Sequence, residues 1–428
     1  MNLSGLNFSS LPAISIVYRF FICAVLFALV AAFLLAFSGP EVWQSRWHPH
    51  MLAITHCFTL GFITTVMMGA MLQILPVIGG IGIPKVKLVA NTFLVLHVVG
   101  TACLIAGFIS PLATLKVAAM IFLAMGFGVY LIALGWVLAK KLSQGSSIFA
   151  IRFAVLALLV TLVLGLLMLA RNLGWQIIPF DKFITDLHAI WGIAGWIGLL
   201  LIAVSFQIIP MFHVAPEFNA SIRRYLPMLI LGLLLVLFFG QAQVQILVLL
   251  LLLSNSIFIG YLCYLLSLRK RKIPDATVNF WRLSTLAMIS VFVLYCLGEN
   301  LLSVAGMENQ TLLLTALVIY LYVVSIMLGM LLKIMPFLSY THLQQRCLLD
   351  FSLMPLLPNM HQFLPKKHGN MLFYLHLLSA LALLLTLVFN QFYLLLALTL
   401  GLEFFWLLTL LVRCKRLYNA TLKQIENR

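Results

Sequence analysis

Four histidines, His56, His97, His188 and His376, lie inside long apolar stretches of this sequence, where an ionisable side chain is costly and defaults to a functional role. A neutral imidazole offers one ring nitrogen to a metal while an acceptor orients the other, so such residues suit iron or copper. Axial histidines on helices are common ligands of haem iron. All four are therefore candidate haem ligands, with a b-type haem expected, and His56 and His188 are the candidate metal ligands, with copper as the further metal. Each also has a plainer alternative as a hydrogen-bonded packing residue. Acidic companions are few. Asp186 stands two residues before His188, and Glu299 adjoins Asn300; either can carry a proton or orient an imidazole.

The spacing of a short phrase says how these residues are distributed. Gln73-Ile74-Leu75-Pro76, Gln207-Ile208-Ile209-Pro210 and Lys333-Ile334-Met335-Pro336 each close an apolar segment, with their prolines 134 and 126 residues apart. His56 and His188 stand near the opposite ends of the first two segments. Leu94-Val95-Leu96-His97 resembles Phe373-Tyr374-Leu375-His376, each in the third helix of its unit. The reading is a unit of four helices used three times, over 15–140, 149–268 and 281–413. On that reading Gln73, Gln207 and Lys333 occupy equivalent depths, as polar groups of a pathway or of the scaffold, and Lys333 also has the option of snorkelling to the interface. Gly61 and Gly69 flank the His56 face, and Gly192, Gly195 and Gly198 follow His188. Such small residues allow close helix approach or leave room for a flat macrocycle.

The elements that must position these groups follow from composition. With 428 residues, 64% hydrophobic and 8% charged, the chain is too apolar for a water-soluble globule. A hydrocarbon core about 30 Å thick needs roughly 20 helical residues. Twelve runs qualify: 15–37, 51–78, 87–109, 113–139, 149–170, 186–211, 224–240, 243–268, 281–304, 311–337, 370–389 and 391–413. None alternates with the period of a barrel strand, so the expected fold is all-α, a single polytopic membrane domain of twelve helices. The first run lacks a basic leader and a cleavage site and is expected to be a retained helix.

Lys85 and Lys87, Lys140 and Lys141, Arg223 and Arg224, Arg269 to Lys272, and Lys366 and Lys367 fall in alternate loops, and Arg413, Lys415 and Arg416 follow the last run. Basic residues are retained in the cytoplasm, so both termini are expected there. Topology and anionic lipid account for the net charge of +16 better than nucleic acid does, because no recognition motif is interleaved with it. Seven scattered cysteines without C-x-x-C spacing argue against a disulfide framework or zinc site. Phosphate-loop, nucleophile-elbow and H-E-x-x-H motifs are missing. The longest connection, 338–369, carries His342, His361 and His368 among three prolines. It is expected to be a cytoplasmic loop lying at the interface, held by Phe351, Leu356 and Phe363, with metal binding as the alternative.

Twelve helices in three sets of four, with His56, Gly61, Gly69, Gln73, Pro76 and Gly79 on the second, resemble the haem-copper oxidase subunit I superfamily. The resemblance implies a low-spin haem on His56, and His188 corresponds to that family's copper-ligand histidine. The expected helix 10 has no histidine, and the paired histidines of helix 7 are missing, so the implied protein lacks a complete haem-copper centre. In this it looks more like the NnrS family of haem- and copper-containing membrane proteins associated with nitric oxide stress. The expected function is haem binding in electron transfer, nitric oxide or oxygen response, or respiratory assembly. The expected location is a bacterial inner membrane, with the lipid bilayer and respiratory or electron-donor proteins as partners. Whether it is an oxidoreductase stays open. The alternatives are a multi-pass transporter using the histidines, Gln73, Gln207 and Lys333, and a cofactor-free scaffold.

Overall fold

A computed structural model describes residues 12–80, 82–140, 145–175, 182–240, 243–270, 272–304 and 310–427, without the side chains of 299–304. Twelve helices are long and apolar enough to cross a bilayer. They are α1 (Ile14–Phe37), α2 (Pro49–Gly79), α3 (Val86–Ile109), α4 (Ala113–Ala139), α5 (Ser146–Asn172), α6 (Lys182–His213), α7 (Ala220–Leu237) and α8 (Val244–Ser267). α9 (Ala276–Gly298) and α10 (Gln310–Cys347) follow, then α11 (Lys366–Val388) and α12 (Tyr393–Glu426). Among the described residues there is no strand. A helix closes all its backbone hydrogen bonds within one segment, which a hydrocarbon solvent requires. Large apolar side chains such as Phe33, Ile132 and Phe239 point outward, the reverse of a water-facing surface. The chain is a multi-pass membrane protein.

Three helices share an irregularity. α2, α6 and α10 each widen to a π-helix for eight residues, at Cys57–Thr64, Trp191–Gly198 and Leu317–Val324. Each stretch begins nineteen residues before its proline, so the π-turns repeat with the spacing of the phrases. Such turns cluster at functional sites in helices generally.

The phrases end differently. After Pro76 the helix stops at Gly79, and Gly80 (φ 70°) caps it with its N–H on the Pro76 carbonyl, 2.9 Å away. After Pro210 it stops at His213, where Val214 turns left-handed (φ 51°). After Pro336, by contrast, α10 runs on to Cys347. Proline breaks a helix only where the lost hydrogen bond goes unreplaced. The expected loop 338–369 is accordingly mostly helical: it holds the end of α10, a 3-10 turn at Phe351–Leu356, a short helix at Met360–Phe363 and the start of α11. Phe363 anchors it in the core, whereas Phe351 is exposed. The last helix also outruns its expected end at 413 and reaches Glu426.

The described chain divides into two compact units, with α2 and α9 each contributing to both. In the unit of 13–69, 273–287 and 299–428, α12 packs against α1, α10 and α11, and α1 also packs on the π-turn of α2. In the unit that holds Pro12 and the described residues of 70–272 and 288–298, α3 lies along α4 and α5 along α6.

Candidate functional site

The most polar buried point among the described residues belongs to α10, α11 and α12. Glu403, ten residues into α12, has no exposed surface. Its Oε1 lies 2.8 Å from Nδ1 of His376 on α11, and its Oε2 accepts a 2.5 Å hydrogen bond from the Tyr320 hydroxyl. Nε2 of His376 is 2.6 Å from the Ser325 hydroxyl oxygen. The π-turn supplies two of these partners: Tyr320 lies within it and Ser325 is the first residue after it. Aromatic rings wall the cluster. Phe280 and Tyr320 lie against His376 at 5.4 and 4.9 Å, and Phe58 and Phe62 of the α2 π-turn lie against Tyr320 and Phe404.

Counting hydrogens defines the states of the cluster. With the Ser325 hydrogen on the Leu321 carbonyl, 2.7 Å away, Nε2 of His376 carries hydrogen and donates to Ser325. One further proton then lies between Nδ1 and Oε1, either as imidazolium and carboxylate or as imidazole and carboxylic acid. Both arrangements are neutral overall. When that proton leaves, Ser325 turns its hydroxyl toward Nε2, the Nδ1–H donates to the carboxylate, and one negative charge remains, held by Tyr320 and His376. Such a cluster has the groups to hold one proton, with the Ser325 hydroxyl able to turn between its two acceptors. A net charge in low dielectric is costly, which is why two donors, the Tyr320 hydroxyl and the His376 ring, converge on one carboxylate.

The sequence-derived candidates fare unevenly. His376 is in the cluster. His97 is equally buried but sits among rings, stacked on Phe93 at 5.0 Å and edge-on to Phe127 at 5.4 Å. The residue 27 positions beyond His97, in the register that Glu403 holds to His376, is Ala124. His56 places Nδ1 2.8 Å from the Leu52 carbonyl, and His188 places Nδ1 3.0 Å from the Thr161 carbonyl. A carbonyl only accepts, so in both neutral rings Nδ1 holds the hydrogen and Nε2 is the basic nitrogen.

The phrase residues do not share one environment. Gln73 is buried with its amide on the Pro12 carbonyl, Gln207 is exposed, and Lys333 forms an ion pair with Asp275 rather than snorkelling alone. The side chain of Glu299 lies outside the described residues. His342 bonds Tyr418, His368 lies against Trp406 and His361 is exposed, so the three loop histidines do not converge.

Haem or copper fits these residues only in part. The tautomers of His56 and His188 are those of metal ligands, whose second nitrogen is fixed by an acceptor. Both ring nitrogens of His376 are engaged, and His97 is enclosed by rings. The glycine faces are filled by neighbouring side chains: a Cβ at Gly61 would stand 2.5 Å from Phe27, one at Gly69 2.6 Å from Phe20, and one at Gly195 2.8 Å from Ala157. These glycines serve close helix packing. Among the described residues no three histidine, cysteine or carboxylate side chains gather as a metal site.

Glu403 is the residue that sequence reasoning missed. A lone carboxylate within Leu402-Glu403-Phe404-Phe405, deep in an apolar run, was the available signal. No known family model matches the sequence, and no curated protein matches it.

Proposed function

We propose that this chain is a proton-coupled membrane carrier, in which Glu403, His376 and Tyr320 take up and release one proton within the bilayer. The observation that carries this reading is a wholly buried carboxylate, ten residues into a spanning helix, with an imidazole and a phenol as its partners. Ionisable groups at such depth mark proton relays and substrate paths in membrane proteins. The π-turn of α10 supports the reading, since such turns cluster at functional sites, and it holds Tyr320 and ends just before Ser325. In this reading the protein sits in a bacterial inner membrane with both termini cytoplasmic, the orientation that the alternating basic loops support.

The test is proton flux into sealed vesicles carrying the purified protein and a trapped pH dye, under an imposed membrane potential. The expected result is flux in the native protein that is lost in Glu403→Gln. Equal flux in the two proteins, or none in either, overturns the reading.

A second reading is a haem- or copper-binding electron-transfer protein, favoured by the ligand-type tautomers of His56 and His188. In it His56 or His188, each within its own unit, would hold such a group, which would supply one-electron chemistry when bound. A reduced-minus-oxidised spectrum tests it: colour lost in His56→Ala or His188→Ala supports it, and a colourless protein from haem- and copper-replete cells overturns it.

A further inference from the structure

A side chain with no exposed surface needs a route to water, and α10 carries charged side chains toward one end only, Lys333 and Arg346. Beyond the cluster in the direction of the α11–α12 turn, 310–319 and 377–402 contain no acidic or basic residue. Thr386 and Thr399 on that side donate to carbonyls of their own helices. In the opposite direction Ser325, Gly329 and Lys333 follow one another at intervals of four, on one face of α10 and about 6 Å apart along its axis.

Each of these three positions has a polar partner. Ser325 meets Nε2 of His376. The Gly329 carbonyl accepts a 3.1 Å hydrogen bond from the buried Thr277 hydroxyl of α9. Lys333 pairs with Asp275, whose other carboxylate oxygen accepts the Thr277 N–H at 3.0 Å. The ion pair is accessible where the cluster is not, since the Lys333 and Asp275 side chains are 30% and 25% exposed. Gly329 brings the two helices together: a Cβ there would stand 2.8 Å from Cβ of Phe280, whose ring lies on His376.

We infer that the Asp275–Lys333 pair is the water-facing mouth of a proton route to Glu403, with the Thr277 and Ser325 hydroxyls as its inner stations. The inference rests on the proton-holding reading of the cluster. The Asp275 carboxylate takes a proton from water and its hold on Lys333 weakens. The proton passes inward by way of Thr277 and Ser325, with water completing the steps between them. The cluster goes from one negative charge to neutral, and Asp275, again a carboxylate, re-forms its pair with Lys333. In the orientation that the basic loops support, this mouth faces the cytoplasm.

Infrared difference spectra of the full chain in lipid vesicles test the route by following hydrogen–deuterium exchange of the bands that vanish in Glu403→Gln. Asp275→Asn removes the carboxylate yet keeps a good helix cap on the Thr277 N–H. Thr277→Val removes the hydroxyl in a similar volume. Each is expected to slow exchange by at least roughly a hundredfold, the usual worth of a positioned proton-transfer group, without moving the bands. Native-like exchange in both variants, with the bands intact, overturns the route alone. Failure to find any Glu403-dependent band overturns the proton-holding reading and the route with it.

Discussion

Oε1 of Glu403 stands 2.8 Å from Nδ1 of His376, and neither side chain has any exposed surface. Burial makes each residue depend on the other. Desolvation of two potential charges offsets most of their attraction, so such a pair adds little net stability, but removing one partner strands the other.

A double-mutant cycle separates those two effects. His376→Leu alone should cost about 3–5 kcal/mol, because Glu403 then keeps only the Tyr320 hydrogen bond in a dry core. The double variant His376→Leu/Glu403→Leu should cost far less than the sum of the singles, since it removes both polar groups at once. Thermal unfolding in detergent measures all three. Additive losses would mean that the pair is not coupled.

Tyr320→Phe isolates the phenol. The ring contacts with His376 and Phe58 should survive, because the variant keeps the ring. One hydrogen bond to a carboxylate is lost, a cost of about 1.5–3 kcal/mol. Thermal unfolding of the two proteins in detergent measures the loss, and an unchanged midpoint would mean that this hydrogen bond adds nothing to stability.

The sequence reveals the helices far better than their partnerships. Twelve apolar runs of bilayer length are legible because hydrocarbon thickness sets a minimum length, and the prolines mark the repeat of the π-turns. The π-turns themselves are not legible: Leu317 to Val324 is a plain apolar run apart from Tyr320 and Tyr322. His376 is visible as an intramembrane histidine, but its carboxylate lies 27 residues away on the next helix. That pairing depends on the rotation of α11 against α12, which no local pattern fixes. The glycines beside His56 are visible too, although only Phe20 and Phe27 of α1 show what fills the space they leave.

Asp350, outside the membrane-spanning helices, gives a pH prediction. Hydrogen bonds from the Ser352 side chain and N–H hold its carboxyl below the usual value of 3.8. A carboxyl lowered by folding contributes stability that is complete above its ordinary value and is lost as pH falls through the folded one. Hydrogen exchange at 351–363, corrected for the intrinsic pH dependence, should show protection falling in that acid range. Asp350→Ala, with no cap to titrate, should show weak protection that does not change with pH. Equal pH dependence in the two proteins would assign the effect to another group.

The glycines of the helix contacts divide into two kinds, and alanine substitution should separate them by sign. At Gly61 a Cβ would meet Cγ and Cβ of Phe27 at 2.5 and 2.6 Å. The clash is with the root of that side chain, which a rotamer change cannot move far, so α1 and α2 must separate. Gly61→Ala should therefore cost about 1–3 kcal/mol, the range for overpacked sites. Gly135 on α4 has open space where its Cβ would stand, and alanine there should only relieve the poor helix propensity of glycine. Gly135→Ala should be neutral or stabilise by up to about 1 kcal/mol. Unfolding in detergent compares the two directly. If Gly61→Ala were tolerated like Gly135→Ala, the small residues beside His56 would be leaving space for something other than Phe27, and the macrocycle reading of that face would regain its footing.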